Sequence, residues 1–207
     1  MSDRKEYDLK RANLEKAILI EANLKEANLE KANLKEADLN RANLEKAILI
    51  EANLKLAKIK RANFKWANLR KANIEGANLE EVDLRGANLV GTNLTGANLA
   101  KANLEGANLI KANLAEANLA EANLAWANLK GANLKEANLE GADLDWAILI
   151  EANLVESQLK GTDLIGTNLE RANLCRANFI KANLGEANFR EANLKKANQL
   201  SIDQLQK

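Results

Sequence analysis

The 207-residue chain has no histidine and no proline, one cysteine, one tyrosine and three serines. Each scarcity excludes something. Most metal sites and nucleophile–base pairs draw on histidine or on several cysteines, so no catalytic, metal or cofactor site is expected, and no small-molecule substrate. The single thiol, Cys175, has no intrachain partner, so folding requires no oxidising compartment. Uninterrupted apolar runs are only a few residues long, as in Ala17-Ile18-Leu19-Ile20, which excludes a membrane span by a helix. The N-terminal Met1-Ser2-Asp3-Arg4-Lys5-Glu6 lacks the apolar stretch of a secretory signal, so the cytoplasm is the expected location. Charge of one sign is lacking too. Thirty basic residues stand against 29 acidic ones, a net charge of +1, which suits neither a polyanion binder nor an acidic imitation of nucleic acid.

What the chain has instead is a repeat. From Leu9 to Leu194 an apolar residue recurs every five positions, 38 times in all; 33 are Leu and the rest are Ile59, Phe64, Ile74, Phe179 and Phe189. Two residues earlier runs a second column, Ala in 32 of 38 places, broken by Tyr7, Val82, Thr92, Ser157, Thr162 and Thr167. Between the two lies Asn or Asp in 33 of 38 cases. The unit is Ala-Asn-Leu followed by two variable residues.

Neither regular element accommodates a period of five. Five residues of α-helix rotate a side chain by about 140°, so the Leu would spiral without forming a stripe. In a straight strand an odd period throws successive Leu to opposite faces. A three-residue extended piece followed by a corner does work: Ala and Leu point in together, Asn points out, and the two variable residues turn the chain. Nine of the ten glycines fall on the second turn residue, where a positive φ would favour them.

These residues closely resemble the pentapeptide repeat family, whose unit is Ala-(Asn/Asp)-Leu-x-x, over residues 7–198. The resemblance implies an all-β fold, a right-handed quadrilateral β-helix with four pentapeptides per 20-residue coil, hence nine to ten coils here. At about 4.8 Å per coil the rod is roughly 45 Å long. Residues 1–6 are expected to be a leader or cap, with Tyr7 plugging the first coil. Gln199 breaks the Leu column, so residues 199–207, with Leu200, Ile202 and Leu205, read as a cap, a tail or a dimer contact.

Residues 20 apart then stack into columns on the outside. Trp66, Trp126 and Trp146 share one column. Close to it come Ile48 and Ile148 in the Asn place, then Val90, Ile110 and Ile150. Trp66, Val90, Ile110, Trp126, Trp146, Ile148 and Ile150 are the expected interaction patch, weighed against simple packing of side chains along a ladder. Ala-Ile-Leu-Ile-Glu-Ala-Asn-Leu begins at Ala17, Ala47 and Ala147, the first copy on the opposite side. Lys55, Lys58, Lys60, Arg61, Lys65, Arg70 and Lys71 form a basic belt around all four sides. Acids on adjacent coils, such as Glu51, Glu75 and Glu80, are placed to neutralise it, so solvated charge ladders are favoured over a nucleic-acid contact. Cys175 is expected to be an exposed, ordinary thiol, and Asp143 and Asp145 are surface carboxylates.

The reading is a non-catalytic structural or protein-interaction module, engaging a partner or a second copy through the Trp/Ile face or the rod ends. The runner-up comes from the resemblance: some members protect type II topoisomerases such as gyrase by imitating duplex DNA. The only acidic strip here, Glu116, Glu136 and Glu156, is short for that role.

Overall fold

A computed structural model of the chain describes residues 7–198. The leader expected at 1–6 and the cap or tail expected at 199–207 lie outside the described residues. The chain winds as a right-handed quadrilateral β-helix, each unit pairing with the unit 20 residues on through a single parallel bridge at its Asn position, from Asp8↔Asn28 to Asn178↔Asn198.

One unit explains all of them. The Ala N–H donates to the Leu carbonyl three residues back, as from Ala12 to Leu9 at 3.0 Å. The second turn residue between them has φ near +58°, and this holds at every fifth position from Arg11 to Lys196. That combination is a type II turn. Three further backbone bonds join coils: Leu29 N–H to Ile48 O at 2.7 Å, Lys31 N–H to Ile50 O at 2.9 Å, and Asn28 N–H to Tyr7 O at 3.0 Å. The first turn N–H is met by the Asn side chain of its own unit, as Ala120 N–H by Asn118 Oδ1 at 3.2 Å. In a complete interior unit all five N–H groups thereby have an acceptor, which a buried backbone requires.

Asn serves twice. Asn138 Nδ2 donates to Asn118 Oδ1 at 3.1 Å, and Asn118 Nδ2 to Asn98 Oδ1 at 3.0 Å. The amides therefore ladder between coils, while the backbone bond they make lies within their own unit. Where Lys58 replaces Asn, Lys60 N–H is taken instead by Asn40 Oδ1 at 2.9 Å.

Inside, Leu and Ala from Leu24 to Leu184 are buried, most of them completely. Thr92, Thr162 and Thr167 occupy Ala places, and their hydroxyls each donate to a Leu carbonyl at 2.8 Å, which satisfies them in an apolar core. The ends are open. Tyr7 is 58% exposed and Leu9, Leu14 and Leu19 are half-buried, so Tyr7 does not plug the first coil.

Two substitutions separate these contributions. Leu119→Ala empties a completely buried site and should lower unfolding free energy by roughly 2–5 kcal/mol. Asn118→Ala removes one turn cap and two ladder bonds and should cost about 1–2 kcal/mol. Urea denaturation checks both; an Asn118→Ala variant indistinguishable from the parent would contradict the double role of the Asn column.

Candidate interaction surface

Because the inward positions and nearly all Asn positions are committed to the fold, the two turn residues carry most of what distinguishes one corner from another. The corner with the aromatics is built from Lys65-Trp66, Arg85-Gly86, Glu105-Gly106, Ala125-Trp126, Asp145-Trp146 and Ile165-Gly166. Trp126 and Trp146 stack with ring centroids 5.6 Å apart and planes 12° from parallel. They remain 61% and 45% exposed, and Trp66 is 52% exposed.

The side chains lean toward the next coil. A Cβ on Gly86 would lie 2.6 Å from the Trp66 ring, and one on Gly166 would lie 2.5 Å from the Trp146 ring. Those two glycines are the seats of the indoles. Gly106, one coil before Trp126, has nothing within 4 Å of the same point, so it leaves a bare notch between Trp66 and the Trp126–Trp146 stack.

The expected patch is brought together only in part. Trp146, Ile148 and Ile150 follow one another on one coil, with Ile148 exposed and Ile150 half-buried. Val90 and Ile110 are half-buried on the far edge of the same side, and exposed Lys130 separates Ile110 from Ile150 in their column. Trp66 stands three coils from Trp126. Sequence reasoning missed one exposed apolar residue elsewhere, Leu56, which sits over Gly76; Ile18 and Ile20, from the first copy of the repeated motif, are exposed on the opposite side.

Charge along the rod is mostly closed by neighbours one coil away. In the basic belt Lys55 pairs with Glu75 at 2.8 Å, Lys60 with Glu80 at 2.8 Å, Arg61 with Glu81 at 2.7 Å and Lys58 with Asp38 at 3.9 Å. Arg61 grips Glu81 with two nitrogens, which holds the Glu81 carboxyl below its ordinary pKa. Arg70 and Lys71 have no carboxylate partner among the described residues. Lys65 turns away from the Glu45 of its column and places Nζ 4.4 Å from the Trp66 ring centroid, with Lys46 Nζ at 5.8 Å. Glu45 is taken by Lys25 at 3.0 Å. Cys175 is half-buried rather than exposed, beside an Arg176 that pairs with Glu156 at 2.7 Å.

Asp145 is the exception among the acids. Burial pushes its pKa above the ordinary carboxylate value; a bond from Ile165 N–H at 2.9 Å acts the other way, and the charges of Asp143 and Asp163 add to the rise. A carboxyl whose folded pKa is raised stabilises the fold when protonated and withdraws that stability as pH rises through the folded pKa. Asp145→Asn keeps the acceptor for Ile165. It should raise the urea midpoint at about pH 7 and change it less at about pH 3, where Asp145 is protonated; an equal effect at both would contradict the assignment.

The sequence model of the pentapeptide repeats matches in overlapping stretches at 8–45, 37–76, 77–115, 97–135, 117–154, 127–164 and 157–195. Among solved structures the chain is similar to HetL, a pentapeptide repeat protein involved in heterocyst differentiation regulation from the cyanobacterium Nostoc sp. strain PCC 7120. The two are 34% identical over 93% of this chain and 89% of that one, with a TM-score of 0.57. It is similar to the pentapeptide repeat protein Rfr23 from the cyanobacterium Cyanothece 51142, 34% identical over 53% of this chain and 89% of that one, TM-score 0.52. QnrB1, a plasmid-mediated fluoroquinolone resistance protein, is 20% identical over 88% of this chain and 90% of that one, TM-score 0.55, a likeness of fold alone. No curated protein sequence matches. With the repeat running from residue 8 to residue 195 and HetL alike over nearly its whole length, the chain belongs to the pentapeptide repeat family.

Proposed function

We propose that this chain is a non-catalytic, cytoplasmic protein-interaction module. It meets a protein partner or a further copy of itself through Trp126, Trp146, Ile148 and Ile150, with the open rod ends as a second contact surface. The observation that carries this reading is the Trp126–Trp146 stack: two parallel indoles, seated on Gly166 and left open to solvent. Indoles supply large contact area at small entropic cost and dominate interface energetics. The non-catalytic part rests on the residue inventory. Outward Asn side chains are engaged in ladder and cap bonds, and most turn charges lie in exposed ion pairs that contribute little individually.

The DNA-mimic reading requires a continuous free acidic face. Its candidate strip is partly closed: Lys135 lies 3.0 Å from Glu136 and Arg176 lies 2.7 Å from Glu156.

With the immobilised chain as bait, a stoichiometrically retained protein should be lost by the Trp126→Ala/Trp146→Ala double variant and kept by the control Leu56→Ala. Equal retention by the double variant would overturn the surface assignment. In a gyrase supercoiling assay the chain should change neither catalysis nor drug poisoning; protection of gyrase would put the DNA-mimic reading in its place.

A further inference from the structure

The aromatic corner carries a second pattern besides its rings, and it concerns charge. On its N-terminal half, Lys46 and Lys65 have no carboxylate partner among the described residues; both ammonium groups sit over the Trp66 ring. On its C-terminal half, Asp143, Asp145 and Asp163 have no cationic partner among the described residues. Their hydrogen bonds are to Asp145 N–H at 2.9 Å, Ile165 N–H at 2.9 Å and the Asn183 amide at 3.3 Å. Elsewhere many of the rod's lysines, arginines and glutamates close onto the next coil, although Arg70 and Lys71 too have no carboxylate partner among the described residues. The corner is therefore positive with one indole at one end and negative with two indoles at the other, with exposed Glu105 between the two ends. Between them lies the bare notch at Gly106.

We infer that this corner binds the same corner of a second copy of the chain, with the two rods antiparallel. The inference rests on the interaction reading above and names its partner. Antiparallel docking sets the lysine end of each copy against the aspartate end of the other, and an isologous contact makes every such pair twice. Parallel docking would set Lys65 against Lys65 and Asp145 against Asp145, so the charge pattern selects orientation. The register that brings Lys65 level with Asp145 of the second copy places Gly106 on the two-fold axis. Trp66 then lies level with Trp146 of the second copy, and Gly86 with its Trp126. From Lys65 to Asp145 is four coils, about 19 Å of rod, so the two ion pairs and the aromatic contacts form one continuous strip. The pairing also gives Asp145 the cation it lacks in the single chain.

The test is sedimentation equilibrium on the full chain at low salt, with variants chosen so that loss and recovery are both read. The parent should be dimeric, and its dissociation constant should rise with added salt. Lys65→Asp and Asp145→Lys should each weaken the dimer about tenfold or more, since each sets like charges together twice. An equimolar mixture of the two variants should recover the dimer, because only the mixed pair opposes unlike charges at both places. That recovery separates lost contact from lost folding. Trp126→Ala/Trp146→Ala should be monomeric. A monomeric parent overturns the inference and leaves the Trp surface free for a different protein, as the broader reading holds. A parent dimer unaffected by the Trp double variant overturns both. A mixture no better than its components overturns the antiparallel arrangement.

Discussion

A left-handed residue at every fifth position closes each unit of this molecule, and the other four residues take their roles from it. The second turn residue at φ near +58° lets the Ala N–H reach back to the Leu carbonyl, which bends the chain by one corner. Non-glycine residues hold that conformation at 29 of the 38 corners, a backbone that L-residues adopt at a cost of roughly 1 kcal/mol or more each. The cost is offset because the same turn presents its N–H to the coil above and brings the first turn N–H under the Asn side chain. Burial of the Leu and Ala columns supplies the remaining drive. Turn, ladder and core are thus one cooperative arrangement in which each coil depends on its neighbours.

Much of this was legible from the sequence, and the physical reason is periodicity. Ala and Leu two residues apart must share a side, Asn must oppose them, and glycine at the second turn position betrays a positive φ. The square cross-section was not legible in that way: a period of five says that there is a corner, not how many corners close a coil, and that number came through the resemblance. At the aromatic corner the columns correctly placed Trp126 beside Trp146 and Trp66 apart from them. They left open which neighbour a long side chain chooses, since the coil before and the coil after are equally near. Hence the seating of Trp66 on Gly86, of Trp146 on Gly166, and the turn of Lys65 onto an indole instead of toward Glu45 appear only in the structure. Tyr7 shows the same limit: its place in the Ala column suggested a plug, and the structure leaves it 58% exposed.

For function the consequence is a division of labour. Three residues in five make the rod, and the remaining two differ from corner to corner without disturbing it. Ion pairs one coil apart cover most corners and keep a long sheet-like surface soluble. The aromatic corner departs from that cover, with indoles in place of charges and with charges that have no ion-pair partner among the described residues. A surface of this kind is built by substitution at outward positions, most of them in turns and a few, such as Ile148, in the Asn column, so a rigid scaffold can carry it at no expense to its core.

The central claim is that every N–H of a unit is accounted for, four by backbone carbonyls and one by the Asn side chain. Residue-resolved amide hydrogen exchange on the folded chain tests it most directly. The account predicts slow exchange at Leu and Asn amides, faster exchange at first turn amides, and the fastest among these at Ile50 and Ile150, where Ile48 and Ile148 replace the capping Asn, compared with Ile110, which Asn108 caps at 3.2 Å. Equal protection at Ile50, Ile150 and Ile110, or first turn amides slower than those of Leu, would contradict it.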